Sequence, residues 1–168
     1  MSHHYRIMES PVGLLTLVAS AKGLVAVLWE DDDKTRVNID LGSQAEHHAL
    51  LNRVEQQLQE YFAGKRQQFD LPLDFHGTEF QQQVWRALLT IPYGETRSYL
   101  QIARQIGNEK SVRAVGAANG KNPISIIAPC HRVIGSSGKL TGFAGGLEAK
   151  ALLLRLESPD LQADFWHS

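Results

Sequence analysis

The spacing of apolar residues changes near residues 71–77, and this change constrains the fold more than any other feature of the sequence. Before it, two short runs of β-prone apolar residues, 14–19 and 24–29, flank the turn sequence Ala21-Lys22-Gly23 and predict a β-hairpin. After it, apolar residues recur at three- and four-residue spacing, which predicts helices. The chain therefore divides into an α/β part and a mainly helical part.

The first part also contains one helix pattern. Ser43 and Glu46 have the spacing of a capping box, and an apolar stripe with helical period follows them, so we predict a helix over 43–63. Nothing in this part suggests catalysis. We predict a small α/β N-terminal domain, built from a small sheet and a helix, over residues 1–72.

Two further capping boxes mark helix starts in the second part. Thr78 with Gln81 and Ser98 with Gln101 each place a hydroxyl three residues before a glutamine, directly ahead of an apolar stripe. Each pair therefore predicts the first turn of a helix.

A third short helix fits 111–118, close behind the one that begins at Ser98. A last helix fits 147–157, with Leu152, Leu153 and Leu156 expected to face inward. Two short helices joined by a tight turn containing glycine predict a helix-turn-helix. On spacing alone such a pair also occurs in helical proteins that bind no nucleic acid. We predict that residues 73–168 form this mainly α domain.

Composition excludes several classes of protein. The sequence contains one cysteine, so it can form neither an internal disulfide nor a zinc site built from paired CxxC motifs. No apolar run approaches the ~18 residues of a membrane span, and no secretory signal is visible at the N-terminus. We expect a cytoplasmic protein with no membrane partner.

Charge is unevenly distributed along the chain. The net charge is −1, yet residues 97–139 contain one acid and seven basic residues, which are Arg97, Arg104, Lys110, Arg113, Lys121, Arg132 and Lys139. A local excess of this kind can attract a polyanion. It is equally compatible with a solvated basic surface.

The cysteine lies in an unusual setting. Residues 124–128 have the pattern of a buried strand, and Pro129 ends it just before Cys130 and His131. A nucleophilic cysteine must be a thiolate, which nearby cationic or basic groups favour. Adjacent side chains seldom bond each other directly, so we expect a water to connect Cys130 with His131, and an acid to orient the imidazole. The alternative is a buried, inert cysteine.

The sequence around Cys130 resembles the active-site signature of the O6-alkylguanine-DNA alkyltransferases, also called methylated-DNA–protein-cysteine methyltransferases. The signature is Pro129-Cys130-His131-Arg132-Val133-Ile134-Gly135. Supporting motifs follow the family's order and spacing and are Gly77-Thr78-Glu79-Phe80-Gln81, Val84-Trp85, Ile91-Pro92-Tyr93-Gly94-Glu95-Thr96, Ser98-Tyr99, Arg113-Ala114-Val115-Gly116, Asn122-Pro123 and Gly142-Phe143-Ala144-Gly145-Gly146-Leu147. The resemblance implies a ribonuclease H-like N-terminal domain, a helix-turn-helix C-terminal domain and direct-reversal repair of DNA.

The resemblance also implies catalytic roles. A flipped O6-alkylguanine would transfer its alkyl group irreversibly to Cys130, once per protein molecule, and O4-alkylthymine would be a second substrate. His131 would take the thiol proton through a water, and Glu157 would orient His131. Asn122 would brace the turn beside Cys130, and Tyr99 would donate a proton toward the base and help to rotate the nucleotide.

For DNA binding, the resemblance implies that Arg113 enters the base stack and fills the gap left by the flipped base. Ala114, Gly116 and Ala117 would make a helix slim enough for the minor groove. By the same resemblance, Arg132 and Tyr99 would belong to this DNA-binding surface. The partner would be double-stranded alkylated DNA, bound by a monomer, with cooperativity along the DNA left open.

The substrate pocket implied by the resemblance contains Pro129, Val133, Phe143 and Ala144. Backbone N–H groups near Val133 and Ala144 would bind the base edges, and Phe143 would form an apolar wall. Mammalian members have Tyr-Ser where this chain has Phe143-Ala144, so a side-chain hydroxyl to guanine is absent here. No cofactor or metal is implied.

Three other functions remain as alternatives. A non-catalytic protein that binds alkylated lesions is disfavoured by the presence of Cys130, and a cysteine hydrolase would turn over. A helix-turn-helix regulator that senses alkylation would carry an extra cysteine-rich zinc domain in this family, which a single cysteine excludes.

Overall fold

The computed structural model describes residues 3–135 and 143–158. Two compact units are present, one of Met1–His76 with Pro123–Ser125, the other of Gly77–Asn122 with Ile126–Ser168. The first unit thus extends four residues past the predicted boundary at 72 and also includes a short segment from the second half of the chain.

A four-stranded sheet forms most of the first unit. Its strands are β1 (His4–Met8), β2 (Leu15–Ala19), β3 (Leu24–Trp29) and β4 (Ser43–Gln44), in the spatial order β3-β2-β1-β4. The β1–β2 and β2–β3 pairs are antiparallel, and β4 runs parallel to β1. The predicted hairpin is β2–β3, whereas the sequence reasoning missed β1.

The sheet has apolar side chains on both faces. Helix α1 (Ala49–Phe62) buries four large side chains, Leu51, Val54, Leu58 and Tyr61. A second cluster of Val18, Val25 and Ala26 is covered by Tyr5, Leu28, Ile39 and Leu41. Strand β3 is buried along nearly its whole length, although it lies at the edge of the sheet.

Helix α1 begins later than predicted. Ser43, which we expected to cap it, instead donates its backbone N–H to His3 O over 3.0 Å as part of β4. The ladder with β1 therefore replaces the capping box. His48 caps the helix, with Nδ1 accepting the Leu51 N–H over 3.3 Å.

The second unit is mainly helical, as predicted. Its helices are α2 (Glu79–Leu88), α3 (Tyr99–Gln105), α4 (Val112–Gly120) and α5 (Leu147–Glu157), and α3 and α4 form the helix-turn-helix. A 3₁₀ turn, Glu109–Ser111, leads into α4.

Both predicted capping boxes of this unit are present. Gln81 N–H donates to Thr78 Oγ1 over 3.1 Å, and Gln101 N–H donates to Ser98 Oγ over 3.1 Å. The glutamine side chains return a bond to each cap backbone. The local sequence thus determines where α2 and α3 begin.

Two predictions for the second half were wrong. Residues 124–128 are buried but form no strand, because Ile124 makes one isolated bridge to Val27 and Ile126 then adopts a left-handed φ of 74°. On α5 we expected Leu152, Leu153 and Leu156 to face inward. Only the middle one is buried, and the buried face instead includes Lys150, Leu154 and Glu157.

Candidate active site

Cys130 begins a one-turn 3₁₀ segment, Cys130–Arg132, that follows Pro129. The segment is held by backbone bonds, from Cys130 N–H to Ala128 O over 2.7 Å and from Arg132 N–H to Pro129 O over 2.9 Å. Strand β6 (Val133–Ile134) follows and pairs in parallel with β5 (Arg97–Ser98). The cysteine is therefore fixed at a turn between buried segments and is 5% exposed.

Asn122 supports this turn from the chain before it. Its side chain is fully buried, and its Nδ2–H donates to Ala128 O over 2.8 Å. The bond satisfies a buried carbonyl two residues before the cysteine. Asn122 thus contacts the turn that the resemblance implies it would brace.

A carboxylate at the end of α5 joins the two residues that follow the cysteine. His131 Nε2–H donates to Glu157 Oε2 over 2.7 Å. Arg132 makes a bidentate pair with the same carboxylate, from Nε to Oε1 over 2.7 Å and from Nη2 to Oε2 over 3.0 Å. The structure thus shows the predicted His131–Glu157 contact and adds Arg132 to it.

Burial and charge fix the protonation states of this cluster. Burial raises the pKa of Glu157, but the positive charges and hydrogen bonds of His131 and Arg132 outweigh it and hold that pKa at about 2. Burial lowers the pKa of His131 and exceeds the opposing effect of Glu157. At neutral pH the carboxylate is ionised, the guanidinium neutralises it, and the imidazole is neutral.

The tautomer of His131 follows from these states. An ionised carboxylate only accepts hydrogen bonds, so Nε2 must carry the proton and Nδ1 is left as the basic nitrogen. Nδ1 is buried and has no hydrogen-bond partner among the described residues. A neutral imidazole in this state can accept a proton at Nδ1.

Arg132 does not fit the DNA-contact role expected for it. Its side chain is 7% exposed, and its remaining donor, Nη1, bonds Ile91 O over 2.6 Å. The guanidinium also lies 5.7 Å from the centre of the Tyr93 ring. Its donors are directed into the protein, where they bond Glu157 and Ile91 O.

Sequence reasoning missed Lys150. Its side chain is fully buried, and Nζ donates to Val133 O over 2.8 Å. Burial lowers the pKa of Lys150 to about 8, although negative charge on Cys130 raises it. The available signal was its spacing, because Lys150 shares one helical face with Leu153, Leu154 and Glu157.

The four residues expected in the substrate pocket differ in how far they are buried. Pro129 and Val133 are buried, Phe143 is partly buried, and Ala144 is exposed. The Val133 N–H donates to Cys130 O, and the backbone N–H groups near Val133 and Ala144 stay a prediction as donors to the base edges. Gly135 ends the first described range and Phe143 begins the second.

The expected DNA-binding residues share the outer face of α4. Arg113, Ala114 and Ala117 are exposed and Gly116 is partly exposed. Val115, Ala118 and Asn119 form the buried face. The outer face therefore contains one long cationic side chain among very small ones.

Tyr99 begins α3 beside this face. A Cβ added to Gly116 would lie 3.9 Å from both Cδ1 and Cε1 of the Tyr99 ring, an ordinary van der Waals distance. The helix-turn-helix thus brings Tyr99 next to the small residues of α4. The ring is partly buried, so part of its surface faces solvent.

Within residues 3–135 and 143–158, no group of three or more His, Cys, Asp or Glu side chains is arranged to hold a metal ion. In the same ranges no helix combines the length and apolar character that crossing a bilayer requires.

Comparison with known families gives two matches that together cover nearly the whole chain. Residues 3–75 match the ribonuclease-like domain of 6-O-methylguanine DNA methyltransferase, and residues 79–159 match the DNA binding domain of the same family. The two matched ranges correspond to the α/β part and the helical part of the chain.

Individual relatives are similar over nearly their full length. A methylated-DNA–protein-cysteine methyltransferase of Mycobacterium tuberculosis strain H37Rv is 51% identical over 165 residues, covering 96% of each chain. One from Methanosarcina acetivorans is 49% identical over 154 residues, covering 92% of this chain and 97% of the relative. The crystal structure of Mycobacterium tuberculosis OGT in complex with DNA superposes with a TM-score of 0.82 at 49% identity, covering 95% of this chain and 98% of that one.

Proposed function

Because this chain belongs to the 6-O-methylguanine DNA methyltransferase family, we propose that it repairs alkylated DNA by transferring the alkyl group of O6-alkylguanine to its own Cys130. The observation that carries the proposal is the position of the chain's only cysteine directly before a buried histidine whose Nε2 bonds a carboxylate over 2.7 Å. Full-length relatives named methylated-DNA–protein-cysteine methyltransferase support it.

The transfer requires one bond to form and one to break. The Cys130 sulfur attacks the alkyl carbon, the carbon–O6 bond breaks, and the electron pair of that bond remains on the guanine, which takes up a proton. The thiol proton passes through a water to His131 Nδ1 before or during attack. Glu157 keeps Nε2 protonated, so Nδ1 is the nitrogen that accepts.

The product explains why each molecule would act once. After transfer the sulfur is a thioether, which is a far weaker nucleophile than a thiolate and is not a leaving group that water displaces at neutral pH. Cys130 is the only cysteine in the chain, so no second thiol can take over the alkyl group. The protein is therefore a stoichiometric acceptor, and O4-alkylthymine would react by the same displacement.

Delivery of the base is assigned to the outer face of α4 and to Tyr99. A base must leave the stack before a sulfur can reach its O6 substituent, at a cost of a few kcal/mol. Arg113, exposed among small residues, would enter the minor groove and occupy the gap, while Tyr99 would direct its phenol toward the base. We expect a monomer to do this in the cytoplasm.

Intact-mass spectrometry tests the proposal. The wild-type protein is incubated with a duplex containing one O6-methylguanine, and with the same duplex lacking the lesion. We expect each protein molecule to replace one hydrogen by one methyl group at Cys130, after which a second portion of duplex gives no further product. Cys130→Ser is the matched control and should gain nothing.

Two results would overturn the proposal. Repair of many lesions per protein molecule would mean that the cysteine is a turnover catalyst. Binding of the lesion-containing duplex without any adduct would favour a non-catalytic lesion-binding protein.

A further inference from the structure

The four-residue turn 92–95 lies in one of the sequence motifs to which the transfer chemistry described above assigns no role. Glu95 N–H donates to Pro92 O over 3.1 Å and closes the turn. Gly94, at the third position, has a φ of 83°, as a type II turn requires. The turn is therefore a defined local structure that presents Tyr93, at its second position, in a fixed direction.

Two contacts join this turn to the last residues of α5. The Tyr93 hydroxyl donates to Leu156 O over 3.2 Å. The last four carbonyls of a helix have no donor within the helix, so this bond satisfies one of them. A Cβ added to Gly94 would lie only 3.2 Å from Glu157 O, so the turn also packs closely against the next carbonyl. The turn thus contacts the backbone carbonyls on both sides of the Glu157 Cα.

The same part of the chain also contacts Arg132. The guanidinium lies 5.7 Å from the centre of the Tyr93 ring, within the range of a cation–π contact. Its Nη1–H donates to Ile91 O over 2.6 Å, while its other donors make the bidentate pair with Glu157. Residues 91–94 therefore contact both partners of the buried ion pair.

Tyr93 stays an uncharged donor at neutral pH. Burial raises the pKa of its phenol above the ordinary value, and the negative charge of Glu157 raises it further, although Arg132 opposes this. A neutral phenol can donate a hydrogen bond, whereas a phenolate can only accept one. The bond to Leu156 O is therefore maintained over the pH range in which the thiol would be activated.

The position of the Glu157 carboxylate determines the state of His131. Oε2 accepts from His131 Nε2 over 2.7 Å and from Arg132 Nη2 over 3.0 Å. Hydrogen bonds weaken steeply away from their preferred geometry, so a displaced carboxylate would hold the proton on Nε2 less firmly. Contacts that fix the end of α5 and the Arg132 guanidinium therefore affect the basic nitrogen of His131.

We propose that Tyr93 is a positioning residue for alkyl transfer: its hydroxyl and its ring fix the Glu157 carboxylate that keeps the His131 proton on Nε2. This role rests on the function proposed above. The phenol acts through the ion pair of Glu157 with Arg132 and not on the reacting atoms.

The His131 Nε2–H proton reports this role without DNA. A ring N–H bonded to a buried carboxylate exchanges slowly with water and gives a separate proton NMR resonance far downfield. Its exchange rate is measured in wild type, Tyr93→Phe, Tyr93→Leu and the control Tyr5→Phe, which removes a hydroxyl from a half-buried tyrosine of the first unit. We expect the rate to rise about fivefold in Tyr93→Phe, which loses one hydrogen bond. It should rise further in Tyr93→Leu and stay at the wild-type value in Tyr5→Phe.

The pH dependence of thiol reactivity is the second measurement. A less firmly held imidazole is a weaker acceptor for the Cys130 proton, so the thiolate should form at higher pH. With iodoacetamide as the probe, we expect the midpoint to rise by about 0.5 pH unit in Tyr93→Phe, a roughly threefold loss of rate at neutral pH. Tyr5→Phe should have the wild-type midpoint.

A tyrosine that only braces the fold would give a different result. Tyr93→Phe would then lower the free energy of unfolding but leave the exchange rate and the thiol midpoint as they are in wild type. This variant keeps the ring and its apolar packing, so the proposal is judged on it even if Tyr93→Leu does not fold. If either the exchange rate or the midpoint is unchanged in folded Tyr93→Phe, the proposal is overturned.

Failure of this inference is distinguishable from failure of the proposed function. Methyl transfer by wild type, with an unchanged His131 proton in Tyr93→Phe, would remove Tyr93 from the relay and leave the function intact. Faster exchange and a raised midpoint in Tyr93→Phe, in a protein that takes no methyl group from DNA, would support the positioning and remove the function.

Discussion

Charged side chains of the helical unit are arranged in two opposite ways. Around Cys130, the side chains of Glu157, Arg132 and His131 are nearly or fully buried and joined by bonds of 2.7–3.0 Å. On the outer face of α4, by contrast, Arg113 is exposed and makes no hydrogen bond or ion pair within the described chain. The two regions belong to one unit but differ in how strongly their charges are fixed.

The difference reflects two kinds of work. Displacement at carbon requires groups whose positions and protonation states are set before the substrate arrives, and burial with full pairing achieves this. Binding to DNA instead requires a cationic side chain that can extend from the protein surface into a groove. Substitutions in the buried cluster should therefore change stability and chemistry together, whereas substitutions on α4 should mainly change reactions that involve duplex DNA.

The largest effect is expected for Glu157→Gln. Removing the carboxylate leaves the Arg132 guanidinium buried without its counterion, so the free energy of unfolding should fall by about 3–5 kcal/mol. Methyl transfer should also slow, because a glutamine amide can donate as well as accept and so no longer forces the His131 proton onto Nε2. Urea unfolding and single-turnover assays measure both, with the exposed Glu148→Gln on the same helix as control. A stable variant with normal transfer would contradict the distinction between the two regions.

Acid should destabilise the wild type through the same carboxylate. The pKa of Glu157 is about 2 when folded against an ordinary value of 4.5, so its contribution is complete above pH 4.5 and disappears as the pH falls toward 2. This contribution is about 3 kcal/mol by the size of the difference. Unfolding free energies of wild type and Glu157→Gln should therefore converge between these pH values. If the unfolding free energies of the two proteins instead run parallel against pH, Glu157 does not contribute to the loss of stability in acid.

Arg132→Lys tests the corrected role of Arg132. An ammonium cannot reproduce the bidentate pair with Glu157 and the bond to Ile91 O together, so stability should fall by about 2 kcal/mol. The affinity of the folded variant for undamaged duplex should match wild type. Normal stability with weakened DNA binding would instead restore Arg132 to the DNA-contact surface.

How far the sequence predicts this molecule depends on how local each signal is. The capping boxes at Thr78 and Ser98 operate within four residues, and both helix starts were predicted correctly. Ser43 has the same local pattern, but its backbone pairs with strand β1, which is distant in the sequence, and so Ser43 does not cap a helix. Local spacing cannot show that competition.

The same limit applies to the site. The Cys130-His131 pair is visible as adjacent letters, whereas the direction of the Arg132 side chain depends on a carboxylate 25 residues away. Lys150 shares a helical face with Leu153, Leu154 and Glu157, and its burial becomes evident only once α5 is packed. Reactive residues that are adjacent in the sequence were therefore easier to predict than residues whose contacts depend on a distant part of the chain.

Arg113→Ala should separate the two regions most clearly. We expect the rate of duplex repair to fall at least about tenfold, which corresponds to about 1.4 kcal/mol. The rate of methyl transfer from O6-methylguanine as a free base should stay near that of wild type. Unfolding free energy should change by less than about 0.5 kcal/mol, since the side chain is exposed. Arg53→Ala, which removes an exposed arginine of the first unit, is the control. Equal losses on both substrates would mean that Arg113 does not act in base flipping.

The smallest effect is expected for Gly116→Ala. The added Cβ would lie 3.9 Å from the Tyr99 ring, a distance that needs no movement, and alanine favours a helix over glycine by about 0.5–1 kcal/mol. The variant should therefore be slightly more stable than wild type, as thermal unfolding would show. The same methyl group broadens the face of α4 that we assign to the minor groove, so affinity for duplex should fall by a few-fold. A gain in stability without any loss of affinity would mean that the groove does not contact α4 at this position, and the slim face of the helix would need another explanation.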